Sequence, residues 1–165
     1  MALARSSTFI HYAAMSKNEF AFRHQFRVRW SEVDPQGVVF NARYLDYADI
    51  AITEYWRAVN FRAQAEGEPF EFHVRKAAVL FERPIKPDEM IEVMARTLTI
   101  GRTSMTQLVE IHGANAGGED DLRASIELVS VHVDLTTHRP QILPEAVREI
   151  FTAFDAGRKH APSSI

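Results

Sequence analysis

Twelve consecutive residues, Trp30-Ser31-Glu32-Val33-Asp34-Pro35-Gln36-Gly37-Val38-Val39-Phe40-Asn41, hold the chain's best candidate chemistry. Pro35 biases Asp34 toward an extended backbone, and Gly37 permits a tight or positive-φ turn just after it. An acidic side chain is thus presented before an apolar triplet, Val38-Val39-Phe40, that runs into the start of a helix. A helix start carries unpaired N–H groups and partial positive charge. A carbonyl oxygen lying there would be polarised without help from a charged side chain. A carboxylate on the other side of that carbonyl would complete what acyl hydrolysis requires. Spacing alone leaves a second reading open, in which Asp34 closes an Asx-type turn with Gly37 and does nothing more.

The helix that must position this loop is the clearest periodic segment in the chain. Over residues 41–60, Tyr44, Leu45, Tyr47, Ala48, Ala51, Ile52, Tyr55, Trp56 and Val59 fill one half of the helical circumference. Asp46, Asp49, Thr53, Glu54, Arg57 and Asn60 fill the other half, with Ile50 the exception. Asn41 is a good N-cap residue, although Tyr44 at the third helical position rules out a capping box. Such a helix is about 28 Å long, and its wide apolar face needs a large cover. The cover comes from alternating segments. Phe22, His24, Phe26, Val28 and Trp30 alternate with Arg23, Gln25, Arg27 and Arg29, predicting a strand with one buried face. Further strands are predicted near 70–84, 90–100, 103–115 and 122–135. Turns are read at Lys86-Pro87-Asp88, at Gly101-Arg102 and over 115–121. Val129, Val131, Val133 and Leu135 alternate with Ser130, His132 and Asp134, and a short amphipathic helix starts at Pro144 and runs to about Phe154. One helix followed by consecutive strands predicts an α+β fold with an antiparallel sheet packed on that helix.

Composition narrows the function classes. The 165 residues suit one domain with a real core; 46% are hydrophobic and 25% charged. A formal charge of −3 gives no general drive toward nucleic acid or an anionic membrane. With no cysteine, disulfides, thiolate-bound zinc and a cysteine nucleophile are excluded. The seven His fall in no HxxxH or HExxH spacing, so no metal site is expected. No apolar run approaches the roughly 18–20 residues of a membrane span, and the first residues show neither the basic start nor the apolar run expected of a secretory signal. A cytoplasmic location is the expectation. Residues 1–20 read as a separate N-terminal leader, with Met15 an alternative start, and 158–165 as a polar tail.

The motif Asp34-Pro35-x-Gly37-Val38-Val39-Phe40-x-x-x-Tyr44-Leu45-x-Tyr47-x-Asp49 resembles the signature of the 4-hydroxybenzoyl-CoA thioesterase-like family of the hotdog superfamily. Arg83-Pro84, Pro87-Asp88, Gly101-Arg102-Thr103-Ser104 and the 133–144 segment extend the likeness over roughly 22–155. The resemblance implies a hotdog domain over 21–157, a long central helix wrapped by a curved antiparallel sheet of about five strands. It implies an acyl-CoA thioesterase with Asp34 as nucleophile or general base and the Asn41 backbone amide on the thioester oxygen. Gly37, Val38, Val39, Phe40, Tyr44 and Asp49 would line the substrate site, while Arg102 and Ser104 would meet the pantetheine arm or phosphates of CoA. It implies no cofactor, CoA being part of the substrate, and a homodimer or homotetramer joined sheet edge to sheet edge with sites between subunits. Three positions depart from the family pattern: Glu32 stands where many relatives carry a second Asp or an equivalent polar residue, Asn41 where His or Tyr is frequent, and Ile52 where many bacterial relatives have Arg.

Other residues carry paired readings. Asp49, at the border of the helix's two arcs, is either a polar group in the acyl pocket or an exposed carboxylate, and Glu54 is read as a solvated or interface salt bridge. His73 opens a strand at the end expected to face the helix start. His132, on the polar face of the last strand, is read as solvent- or interface-facing, and Arg139 as a tie between the last helix and the sheet. Tyr44, Tyr47, Tyr55 and Trp56 are core or pocket lining. Two further functions remain open at this point: a thioesterase acting on an acyl carrier protein, and a non-catalytic acyl-binding hotdog protein. A hotdog dehydratase fits less well, because Asn41 stands where that chemistry would want His.

Overall fold

The 41–60 periodicity becomes α1 (Arg43–Ala58), whose buried residues Tyr44, Tyr47, Ala48, Ala51 and Tyr55 recur at helical spacing. In the computed structural model, residues 15, 17–61, 70–114 and 121–157 are described. The buried stripe is narrower than the apolar arc of the sequence, and Leu45 is exposed. Asn60 ends the helix in the left-handed region at φ 56°, a conformation Asn tolerates better than most residues.

The strands are β1 (Phe22–Arg27), β2 (Phe72–Phe81), β3 (Met90–Ile100), β4 (Ser104–Gly113) and β5 (Leu122–His132), followed by α2 (Glu145–Asp155). They form one antiparallel sheet in the order β1-β3-β4-β5-β2. The sheet wraps α1, with α2 closing the end where α1 finishes: Tyr55, Trp56, Phe61 and Phe72 meet Phe151, or one another, ring to ring. Phe151 and Ile85 are fully buried, and burying side chains of this kind contributes about 1.5–3 kcal/mol each. This is the α+β arrangement the sequence implied. Among the described residues no helix is long and apolar enough to cross a membrane.

Four local differences have clear causes. β1 stops at Arg27 because, one step on from Val28, whose N–H still bonds its register partner Glu89 at 2.9 Å, the Arg29 N–H turns to the Glu32 side chain at 2.8 Å. The chain then curls into a 3-10 turn over Trp30–Glu32, leaving Trp30 exposed rather than on a buried face. β2 stops at Phe81 because the N–H groups of Glu82 and Arg83 both donate to the Arg123 carbonyl, at 2.9 and 3.2 Å. β5 turns the opposite face inward from the one its valines suggested. Ala124, Ile126 and Leu128 fix the parity, so His132 is buried at 5% exposure and rests against the rings of Phe70 and Phe72. The segment read as a separate leader is in part attached. Met15 donates its N–H to Glu110 Oε1 at 3.1 Å, Lys17 pairs with Glu92 at 3.4 Å, and Phe20 packs on Met94 and Leu108. Residues 1–14 and 16, the tail 158–165 and most of the turn read at 115–121 lie outside the described residues.

At the far end of α1, the Asp155 Oδ2 atom accepts the Tyr55 hydroxyl at 2.7 Å and the Thr97 N–H at 2.8 Å. Burial holds the Asp155 carboxyl above its usual range, against those two hydrogen bonds, and pushes the Tyr55 phenol up as well. An acid with a raised folded-state pKa contributes most to stability below its unfolded value, about pH 3.9. That contribution is lost as pH rises through the folded value. Asp155→Asn keeps an acceptor for both donors and removes the titration. Its melting temperature relative to wild type should therefore climb between about pH 4 and pH 8, as followed by thermal denaturation; a difference that stays flat would contradict the assignment.

Candidate active site

The Asp34 loop is closed by its own backbone. Val33 and Val39 form an isolated antiparallel bridge. The Asp34 N–H donates to the Val38 carbonyl at 2.9 Å, and the Gly37 N–H donates to the Asp34 carbonyl at 3.0 Å. Gly37 adopts φ 77°, a region where a Cβ costs roughly 1 kcal/mol or more. Asp34 Oδ1 accepts the Gln36 N–H at 2.8 Å, so the Asx-type turn is present. Oδ2 makes no hydrogen bond to a described residue, and the side chain is half-buried. One carboxylate oxygen thus fixes the loop and leaves the other for chemistry.

The helix start differs from the sequence expectation in detail. Asn41 does not cap α1 with its side chain. The helix begins at Arg43, and Ala42 at the N-cap position is already helical, at φ −64° and ψ −26°. Arg43 and Tyr44 donate their N–H groups to the carbonyls of Phe40 and Asn41 at 2.8 and 3.3 Å. The Phe40 N–H goes to the Glu32 carbonyl and the Val39 N–H to the Ile85 carbonyl, at 3.0 and 2.8 Å. Between these, the N–H groups of Asn41 and Ala42 donate to no described residue. Two adjacent free donors at the positive end of a helix are suited to hold a developing oxyanion.

Glu32 and Tyr47 brace this loop. Glu32 Oε2 accepts the Tyr47 hydroxyl at 2.9 Å and the Arg29 N–H at 2.8 Å. Burial first, then the Glu32 carboxylate, pushes the Tyr47 phenol far above its ordinary value. Tyr44 is buried, which raises its pKa, and its hydroxyl meets the Ile85 backbone. Its ring meets Phe81 edge-on at 4.9 Å. Val39 and Tyr44 are therefore sealed in the core, whereas Gly37 and Phe40 are exposed and Val38 half-buried.

A groove of about 500 Å³ opens between the second half of α1 and the start of β2, with Trp56, Phe61, Phe72, Ile52 and Val74 as apolar wall and Asp49 at its margin. Its size is that of a small-molecule site. Asp34 and Asn41 do not line it. Arg102 is exposed in the turn between β3 and β4, and Ser104 opens β4. β4 has 10 residues, so Ser104 lies roughly 30 Å along the strand from the end nearest the Asp34 loop. Within one chain, Arg102 and Ser104 are not brought to Asp34.

His73 belongs to that same far end. It stacks on His138 at 6.2 Å, while the helix start is met by Phe81 at the other end of β2, so the expected facing is reversed. The tie between the last helix and the sheet is Arg148, not Arg139: its guanidinium donates to the carbonyls of Ile100 and Gly101 at 2.5 and 3.1 Å. Glu54 pairs with Arg57 on the helix surface, as read. Among the described residues no group of three or more His, Cys, Asp or Glu gathers around a potential metal position. The sequence reading missed the cluster formed by Arg123, Glu89 and Asp121, because ions brought together across strands leave no periodic signal.

A sequence profile described as the thioesterase-like superfamily matches residues 28–151. The acyl-CoA thioester hydrolase YbgC of Escherichia coli is 31% identical over 131 residues, covering 79% of this chain and 95% of its own. The acyl-CoA thioesterase YbgC of Haemophilus influenzae is 30% identical over 145 residues, covering 83% and 97%. A thioesterase from Thermus thermophilus, solved with coenzyme A and Zn, superposes with a TM-score of 0.70 at 29% identity over 84% of this chain and 97% of that one. A mutant 4-hydroxybenzoyl-CoA thioesterase solved with 4-hydroxybenzoyl-CoA reaches 0.69 at 16% identity over 79% and 97%, a likeness of fold alone. Fold and relatives together define a hotdog-fold thioester hydrolase. The chain belongs to the thioesterase-like superfamily.

Proposed function

We propose that this protein hydrolyses acyl-CoA thioesters to the free acid and CoA, with Asp34 as nucleophile or general base and the Asn41 amide as oxyanion donor. The observation that carries this reading is the presence, seven and eight residues apart in one loop, of an Asp34 Oδ2 and two N–H groups at the start of α1 that bond to no described residue. A thiolate leaves readily, so the main demands are a placed nucleophile and a stabilised oxyanion. Asp34 would attack the carbonyl carbon directly, with water then cleaving the anhydride, or would take a proton from water as it attacks. Either route consumes one water and releases one acid and one thiol. The names of the YbgC relatives and the coenzyme A complex of the Thermus protein support acyl-CoA as the substrate class.

The opposite-ended placement of Asp34 and Arg102 supports a site shared between two copies. β2 is an outer strand paired only with β5, and Val74 and Phe81 are exposed apolar residues on it. Antiparallel joining of two β2 strands reverses one sheet end for end. It carries the partner copy's Arg102 turn and groove toward this chain's Asp34, and further pairing of such homodimers would give a homotetramer. Arg102, with its forked donors, is suited to a CoA phosphate. A panel of short, long and aromatic acyl-CoAs, with released thiol read by a colorimetric reagent, should show turnover of at least one class. Silence across the panel would overturn the assignment.

A further inference from the structure

Both feet of the Asp34 loop stand on one segment. Val28, just before the loop, donates its N–H to the Glu89 carbonyl at 2.9 Å, and Val39, just after it, donates to the Ile85 carbonyl at 2.8 Å. That segment, the connection from β2 to β3, is wrapped around a single side chain. The Arg123 guanidinium donates to the Pro84 carbonyl at 2.7 Å, to Glu89 Oε1 at 2.5 Å and Oε2 at 3.2 Å, and to Asp121 Oδ2 at 2.7 Å. The Arg123 carbonyl also receives the N–H groups of Glu82 and Arg83. Glu89 in turn accepts the Lys86 N–H at 2.9 Å, closing the turn from within. The Arg123 and Glu89 side chains are only 14% and 19% exposed. Gly113 leaves room for the cluster: a Cβ there would come 2.3 Å from Asp121 Oδ2 and 3.0 Å from Arg123 Nη2.

Resting on the proposed reaction, we infer that Arg123 is a positioning residue for hydrolysis, setting Asp34 against the Asn41 amide through the Ile85 and Glu89 carbonyls. A bidentate fork holds both the direction and the distance of its partners, which an ammonium does not. Displacing the Ile85 carbonyl therefore moves the Val39 foot of the loop relative to α1. A shift of about 1 Å at a reacting group costs on the order of 10²-fold in rate.

The test compares Arg123→Gln, Arg123→Lys and Gly113→Ala with wild type on the acyl-CoA turned over best, well below each variant's melting temperature. Arg123→Gln should lower kcat about 10–100-fold with KM within about threefold. Arg123→Lys should restore part of the melting temperature but little of kcat. Gly113→Ala, which pushes Asp121 off the fork, should lower kcat in the same direction by less. A purely structural role would lower the melting temperature alone, and a kcat within twofold of wild type for folded Arg123→Gln would overturn the inference. If that variant does not fold, Arg123→Lys decides by the same criterion. Asp34→Asn, run alongside, separates the two claims: full activity there removes the proposed reaction itself, whereas inactivity there with normal Arg123 variants removes only the positioning role.

Discussion

Asp34→Asn should retain the fold and lose about 10²–10⁴-fold in turnover, the span associated with removing a general base. The retention follows from the division of labour between the two oxygens. Asn keeps a carbonyl oxygen where Oδ1 accepts the Gln36 N–H, so the Asx-type turn survives. The Val33–Val39 bridge and the Asp34 N–H bond to Val38 do not involve the side chain at all. Only Oδ2 changes, from an anionic oxygen to an amide nitrogen that neither attacks a carbonyl nor accepts a proton. Circular dichroism and melting temperature should match wild type while thiol release falls. Near-normal turnover would take Asp34 out of the mechanism.

The helix start makes a second, independent prediction. Asn41→Pro deletes the N–H that is proposed to hold the thioester oxygen, and Asn41→Ala keeps it while deleting the side chain. The Asn41 N–H donates to no described residue, and Asn41 is the second residue of the turn closed by the Arg43 N–H on the Phe40 carbonyl, a position where proline is favoured. Asn41→Pro should therefore fold and lose about 10²–10³-fold in kcat, the cost of one oxyanion donor. Asn41→Ala should stay within a few-fold of wild type. Equal losses in the two variants would move the role from backbone to side chain and undo the oxyanion assignment.

Much of this arrangement was legible before any coordinates. The long helix announced itself because Tyr44, Tyr47, Ala48, Ala51 and Tyr55 recur at a period only a helix brings to one face. The bounds of β3 follow directly from its flanking turns. What was hidden has physical causes. Alternation in β5 says which residues share a face but not which face is inward, so His132 was assigned to the wrong side. The helix start moved by two residues because backbone turns over 40–45, rather than an Asn41 cap, organise it. The Arg123 cluster and the Asp155–Tyr55 contact join residues 34 and 100 positions apart, and no local pattern encodes such pairs. Nor does the Gly101-Arg102 motif reveal that Arg102 and Asp34 lie a strand's length apart within one chain, because a motif has no dimension along the sheet.

That last distance bears on inheritance. Under the end-to-end pairing proposed above, no polypeptide owns a whole reaction centre; each lends its acid to one and its arginine to the other. Two alleles damaged at opposite ends of the sheet would then mask one another in a mixed pair, since one centre collects both lesions and its twin collects none. Damage confined to the same end would show no such masking.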